Sequence, residues 1–466
     1  MGVVLSHAFN GQITILGSVR MNIIAKWLSL ILVLLFPTFS VSAEMSVGVG
    51  SVVITPDKPI WLSGYASRKA PSDGKVQDIY AKAMAFEDAE GERTVIVTTD
   101  LIGLTRNLSA RTAALASEKL GIPRERLMLT ASHTHSAPAL RENLGTMYAL
   151  DDEQTRRVNE YSEVIPSRIV EAIKIAVDDL EAGSAHWGHG EAGFAVNRRQ
   201  YNQGGVSLGV NPIGPVDHDV PTIVAKRADG TIKGVLFGYA CHNTTLDFQQ
   251  ISGDYAGFAQ AYVESAMPGV IAMFASGCGA DANPNPRRTL ALARQHGTEL
   301  GVAVLTAMRG DLNELSRPIR ATYDEVTLEL SEPPTRAELD AQLNSDNVYI
   351  QRRATSLIEE FEANGALKTT YPYPIQVFQF GDTLQVTALG GEVVVDYALR
   401  IKHELGRDNQ FIIGYANDVM AYIPSLRVLR EGGYESDTSM IYYGFYGPWS
   451  TTVEDIVMDG VWRLSR

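Results

Sequence analysis

The chain has 466 residues, 45% of them apolar and 20% charged, ordinary globular usage that can bury a sizeable core and argues against long disorder. A formal net charge of −14 argues against a nucleic-acid surface and against a polybasic membrane patch, both of which need clustered Lys and Arg. Length alone admits either two or three average domains or one large α/β unit.

The first feature in chain order is a leader. Lys26 precedes the apolar run Trp27–Phe36, and Val41-Ser-Ala43 is a small-x-small signal-peptidase pattern, which predicts export to the periplasm or outside the cell, with the mature chain starting near Glu44. The run is too short and wrongly flanked for a membrane span. Residues 1–20 are atypical of a signal n-region and leave Met21 as an alternative start. The mature chain then holds two cysteines, Cys241 and Cys278, too few for a disulfide scaffold and compatible with one bridge.

From there, β-branched apolar runs alternate with helix-like segments, and each run ends in polar or small residues. Thr94–Thr99 ends at Asp100. A helix over Arg111–Leu120, closed by Gly121, leads to a strand over Arg126–Thr130 that ends at Ser132-His-Thr-His-Ser136. Gly234–Ala240 ends at Cys241-His242, and Val270–Phe274 at Gly277-Cys-Gly-Ala-Asp281. Leu384–Leu389 ends at Gly390-Gly-Glu392, and Phe411–Gly414 at Tyr415-Ala-Asn417. Ligand sites of α/β sheets collect at the carboxyl ends of strands, so these endings are expected to converge on one cleft. No repeat or Pro/Ser-rich linker divides the chain, which predicts one α/β domain of mixed β-sheets flanked by helices over 44–466. Between 331 and 365 the helical spacing of Leu339, Leu343, Ile350, Leu357, Ile358 and Phe361 predicts an insertion or lid.

His133 and His135 are the chemically informative pair. On an extended strand end they point to one side and Thr134 to the other. One imidazole can then ligate a metal while the other handles protons, or both can hold one ion. Alone, the motif is equally a pair of structural histidines. His242 and Glu392 at other strand ends shift the balance, because zinc draws nitrogen and oxygen ligands from separated elements. Asp254 precedes a helix-like run and reads as an N-cap, whereas Asp100 is a candidate to orient a ligating histidine.

The sequence resembles the catalytic domain of the neutral/alkaline, non-lysosomal ceramidases from about Val47 to the C-terminus. The resemblance is carried by Ala131-Ser-His-Thr-His-Ser-Ala-Pro138, Val196-Asn-Arg198, Tyr239-Ala-Cys-His-Asn243, Ser252–Gly257, Gly390-Gly-Glu392 and Tyr415–Ile423, in that order. It implies a zinc ion held by His133, His242, Glu392 and Tyr422, with Tyr415 as the alternative tyrosine. It also implies that His135 contacts substrate or the reacting water, and that Arg198 holds a substrate oxygen. The implied reaction is zinc-assisted hydrolysis of an amide, as in N-acyl sphingoid lipids, so the expected partner is a small-molecule or lipid substrate.

Two departures bear on that substrate. Where the family pattern has a serine, this chain has Asn283, in Ala280-Asp-Ala-Asn-Pro-Asn285. An amide cannot be a hydroxyl nucleophile, although it can donate a hydrogen bond to an oxyanion. The resemblance also runs out at Arg466, so the extra β-sandwich domain of full ceramidases is expected to be absent. A zinc hydrolase or lyase for a polar carbohydrate-type substrate, and a non-catalytic metal- or ligand-binding protein, are the competing readings.

Overall fold

A computed structural model describes residues 45–466; the leader therefore lies outside the described residues. In chain order the strands are β1 (Met45–Val53), β2 (Tyr80–Glu87), β3 (Arg93–Thr99), β4 (Leu127–Ala131), β5 (Glu181–Glu191), β6 (Ala195–Asn202), β7 (Gly205–Asn211), β8 (Asp219–Arg227), β9 (Ile232–Tyr239), β10 (Ile271–Ser276) and β11 (Ala282–Pro284). A second set follows: β12 (Ile319–Glu329), β13 (Thr370–Phe380), β14 (Leu384–Leu389) and β15 (Gln410–Ile413).

The large sheet has the order β10-β9-β8-β5-β1-β2-β3-β4, with a ninth short strand, Asn313–Glu314, paired to β5. Its interior pairs are antiparallel, while the outermost pairs, β9 with β10 and β3 with β4, are parallel. The sheet curls until its two edges meet: Ser276, ending β10, donates its hydroxyl to the carbonyl of Ser132, just past β4, at 2.9 Å. That closure brings the residues after β4 next to those after β9. A three-stranded sheet, β11-β6-β7, stands beside this junction.

The second sheet runs β12-β13-β14-β15, with β14 and β15 parallel. One face of the large sheet (Val47, Phe86, Met128, Leu236) packs on the second sheet (Phe378, Phe380, Val386, Phe411). Its other face is covered by α1 (Arg106–Leu120) and α2 (Asp152–Asp178), and nearer β9 and β10 by α3 (Asp254–Ala266) and α4 (Leu290–Arg309). The far face of the second sheet buries Tyr373, Ile375 and Ile412 against Val457 and Val461 of the C-terminal helix Val453–Leu464. The result is four layers, helix, sheet, sheet and helix, each sheet apolar on both faces. This is the mixed α/β class expected from the apolar runs.

The 331–365 segment forms α5 (Arg336–Gln342) and α6 (Val348–Asn364) between the antiparallel partners β12 and β13. Leu339, Leu357 and Ile358 are buried in a small core of their own, whereas Leu343 is exposed. α6 meets the rest of the chain through Tyr349, whose hydroxyl donates to the carbonyl of Ala66 at 3.1 Å, through Arg352, which donates to the carbonyls of Thr146 and Met147, and through Arg353, which donates to that of Phe445. Among the described residues no helix is long and apolar enough to cross a membrane. Cys241 and Cys278 are both buried and free, without a bridge.

Candidate metal centre

The loop after β4 supplies His133 and His135, and the turn after β9 supplies His242. Glu392 and Tyr422 come from a two-stranded parallel ribbon, Glu392–Val393 with Tyr422–Ile423, whose register sets these two residues directly opposite each other. His133 has φ +56° and Tyr415 φ +52°. Left-handed backbone at bulky residues is costly and clusters at functional sites.

All four expected ligands come together. Nε2 of His133 and Nε2 of His242 each lie 3.1 Å from Oε2 of Glu392. The Tyr422 hydroxyl lies 3.2 Å from His242 Nε2, and His135 Nε2 lies 3.1 Å from His133 Nε2. The ring nitrogens of the three histidines fall within 4.8 Å of one another, so His135 is a fifth donor able to face the same ion. Tyr415 instead stacks its ring on His133, centroids 4.3 Å apart, so Tyr422 is the tyrosine whose oxygen faces the imidazoles.

The tautomers follow from the outer ring nitrogens. His133 Nδ1 lies 2.6 Å from the carbonyl of Ile102, and His242 Nδ1 lies 3.0 Å from that of Gly279. A carbonyl only accepts, so each Nδ1 carries the proton and each Nε2 turns a lone pair inward. Burial, and after it Arg198, push the His242 imidazole down to about 4, so its contact with Glu392 is no ion pair at neutral pH. Oε2 of Glu392 is buried and receives no hydrogen bond. Three lone-pair atoms thus face one point, an arrangement that a cation would satisfy. Tetrahedral zinc at 2.0–2.1 Å from its ligands separates them by roughly 3.3 Å, close to the spacings here.

Around this cluster the second candidate group also assembles. Arg198, on β6, donates from Nη2 to the Tyr422 hydroxyl at 2.9 Å and from Nε to Glu435 at 2.7 Å. Asn283, on β11, pairs in register with Val196 of β6. Its Oδ1 accepts from Arg198 Nη1 and from the Thr244 hydroxyl, both at 3.4 Å, which leaves its amide N–H free to donate. His135 is pushed well below its ordinary pKa by burial and then by His133, and its Nδ1 has no partner.

Two carboxylates do other work than expected. Asp100 accepts from the Tyr80 amide at 3.0 Å and from Gln260 at 3.1 Å and meets no histidine, because backbone carbonyls already take the histidine N–H groups. Asp254 is the first residue of α3 rather than its cap, with φ +54°, and its carboxylate accepts from the amides of Leu246 and Tyr255. Asp281 accepts from the Val395 amide at 2.8 Å and from Asn197 at 3.1 Å, linking the strand of Arg198 to the segment of Glu392.

Three further residues complete the setting. Tyr443 donates its hydroxyl to Oε1 of Glu392. Glu435 pairs with both Arg198 and Arg199 at 2.7 Å. Gly64, with φ +85°, faces His135 so closely that a Cβ there would lie 2.2 Å from Nδ1. None belongs to a motif; the sequence marks only the neighbourhood of Glu435, by Gly432-Gly433. A cavity of about 690 Å³ between the end of β1 and α2 shares no residue with the cluster.

Residues 45–296 match the family model described as neutral/alkaline non-lysosomal ceramidase, N-terminal. Curated neutral ceramidases of Drosophila pseudoobscura pseudoobscura and Drosophila melanogaster are each 26% identical, over 52% and 53% of this chain. The match spans little more than a third of those proteins, 36% and 37% of their length. The crystal structure of neutral ceramidase from Pseudomonas aeruginosa superposes with a TM-score of 0.63 at 21% identity, over 82% of this chain and 69% of that one. A ceramidase complexed with C2 gives 0.67 at 19%, over 90% and 76%. At such identities the superpositions establish a shared fold. The family model spans more than half of the sequence, including the His-Thr-His run, His242 and Arg198, and so the chain belongs to the neutral/alkaline non-lysosomal ceramidase family.

Proposed function

We propose that this protein is an exported zinc-dependent amidohydrolase that cleaves N-acyl sphingoid lipids or related amides. The observation that carries the metal is Oε2 of Glu392, buried without a hydrogen bond between two inward-facing imidazole lone pairs. His133, His242, Glu392 and Tyr422 would hold the ion. Bound zinc would lower the pKa of a water toward about 7 and polarise the scissile carbonyl.

The remaining chemistry falls to the chain's own groups. The carbonyls of Ile102 and Gly279 fix the two ligating rings, and Tyr443 fixes Glu392. Arg198 is held rigidly by Glu435 beside Tyr422 and presents positive charge where an oxyanion would develop. Asn283 can donate its amide N–H to that oxygen. His135, neutral and with Nε2 facing the cluster, is placed to take a proton from the reacting water and return it to the leaving amine.

Metal analysis of the purified protein should find about one zinc per chain, and the zinc-loaded protein should release fatty acid from a labelled N-acyl sphingosine. Protein without zinc that still turns over would defeat the reading. His133→Ala should lose turnover while remaining folded. Asn283 in the serine position favours one alternative, the same centre acting on a polar carbohydrate-type substrate; turnover of such a substrate without any N-acyl sphingosine cleavage would select it.

A further inference from the structure

The candidate centre is flanked by more positive charge than its counter-ions balance. Tyr65 packs beside His135, ring centroids 4.9 Å apart, and the guanidiniums of Arg68 and Arg288 lie 5.3 and 5.7 Å from the Tyr65 ring. Arg198 reaches Asn283, and the chain continues from Asn283 to Arg287 and Arg288. That segment is pinned at both ends, by the Asn285 amide on the Phe194 carbonyl at 2.9 Å and by the Arg288 amide on the Thr245 carbonyl at 2.7 Å. Thr245 lies three residues beyond His242. Arg287 is therefore fixed within electrostatic reach of Tyr65, Arg198 and Arg288.

The counter-charges are accounted for one by one. Glu435 takes Arg198, and Asp247 takes Arg288 at 2.7 Å. Arg68 gives its two Nη groups to the carbonyls of Phe248 and His135 and to Gln249, and its buried Nε has no partner. Asp254 is occupied by the amides of Leu246 and Tyr255. Arg287 is half-buried and makes neither a hydrogen bond nor an ion pair with any described residue. An isolated surface arginine needs no partner, because water serves it. A partly desolvated guanidinium crowded by others of the same charge does need one. The local sign is also opposite to that of the chain, whose net charge is −14.

We propose that Arg287, with Arg288 beside it and the Tyr65 ring as a wall whose hydroxyl is already given to the Leu246 carbonyl, forms a subsite for an anionic group on the substrate, so that the preferred substrate is an N-acyl amide bearing a carboxylate, sulfate or phosphate. The inference rests on reading the imidazole cluster as an amide-hydrolysing centre. A planar guanidinium matches such oxyanions with two parallel hydrogen bonds. Because Arg287 has no partner to abandon, its replacement leaves no group unpaired in the fold.

The test uses the zinc-loaded full chain and amides with one acyl chain: N-dodecanoylglycine and N-dodecanoyltaurine as anions, N-dodecanoylethanolamine and N-dodecanoylsphingosine as neutral partners. The expected kcat/KM is about tenfold higher for the anions, carried by KM and falling with added salt. Arg287→Gln should collapse the anion-to-neutral ratio, and Arg287→Lys should keep most of it. Neutral amides cleaved as well as the anions, or an Arg287→Gln variant that loses equally on both, would overturn the subsite and leave the hydrolytic reading standing. If no amide of either charge is cleaved, the hydrolytic reading fails and the subsite fails with it.

Discussion

At the scale of single residues, the site depends on atoms that hold the ligands as much as on the ligands. Tyr443 gives its hydroxyl to Glu392, so Tyr443→Phe should weaken zinc binding by about 10–100-fold, measured by competition with a chelating dye. An unchanged affinity would show that the ribbon alone orients Glu392. Gly64 separates the two roles open to His135. Its Cβ-free backbone, at φ +85°, leaves room for Nδ1, so Gly64→Ala must push the imidazole aside. With His135 handling protons, turnover should drop about 10–100-fold while zinc content holds; loss of zinc would make His135 a ligand. The strand-end histidines and Glu392 were legible because they follow apolar runs. Gly64 and Tyr443 were not, since a close approach and a hydroxyl contact leave no pattern in the chain. Asp100 was misread for the same reason: the histidine N–H groups go to backbone carbonyls, which every residue has.

At the scale of elements, the six strands that lead into the site were read within a residue or two at their ends, because β-branched runs between small residues define them, whereas strands such as β1 and β5 were not read at all. The start of α1 was not: it begins at Arg106, where the Thr105 hydroxyl accepts from the Leu108 amide at 3.3 Å, five residues before the apolar pattern suggests a helix. The ribbon that sets Glu392 opposite Tyr422 was equally hidden, because parallel pairing of distant segments has no local signature. A second connection ties the turn after Gly432 to β6. Glu435 lies almost fully buried between Arg198 and Arg199, so Glu435→Ala leaves two buried guanidiniums short of a partner and should cost about 3 kcal/mol in urea unfolding. Asp281 joins β6 to the Glu392 segment in a pH-dependent way. Burial raises its carboxyl to about 7, above roughly 3.9 in the unfolded chain. Its contribution is therefore fully present below about pH 4 and is lost as the pH rises through 7. The melting temperature should fall across that window, and Asp281→Asn should flatten the slope; an unaltered slope would place the pH dependence elsewhere.

At the scale of the whole molecule, the two sheets meet over one apolar interface, in which Phe86 and Phe380 pack edge to face with centroids 5.3 Å apart. Phe380→Ala should cost about 3–5 kcal/mol, as a large buried ring leaves a cavity between rigid layers. The candidate ligands lie at the rim of that interface. His133 and His242 follow strands of the large sheet, while Glu392 and Tyr422 belong to the ribbon that follows the second. An ion held by all four would therefore clasp both sheets, and it would bind the folded chain far better than the unfolded one, in which the ligands are scattered over about 290 residues. Free zinc at about 1,000 times its dissociation constant would add about 4 kcal/mol. Chelation should thus lower the melting temperature of the whole domain in a single shifted transition seen alike by both sheets. If instead only the segment beyond Glu392 loosens, with the large sheet melting as before, the sheets are held by their apolar contact alone and the ion serves chemistry without bracing the fold.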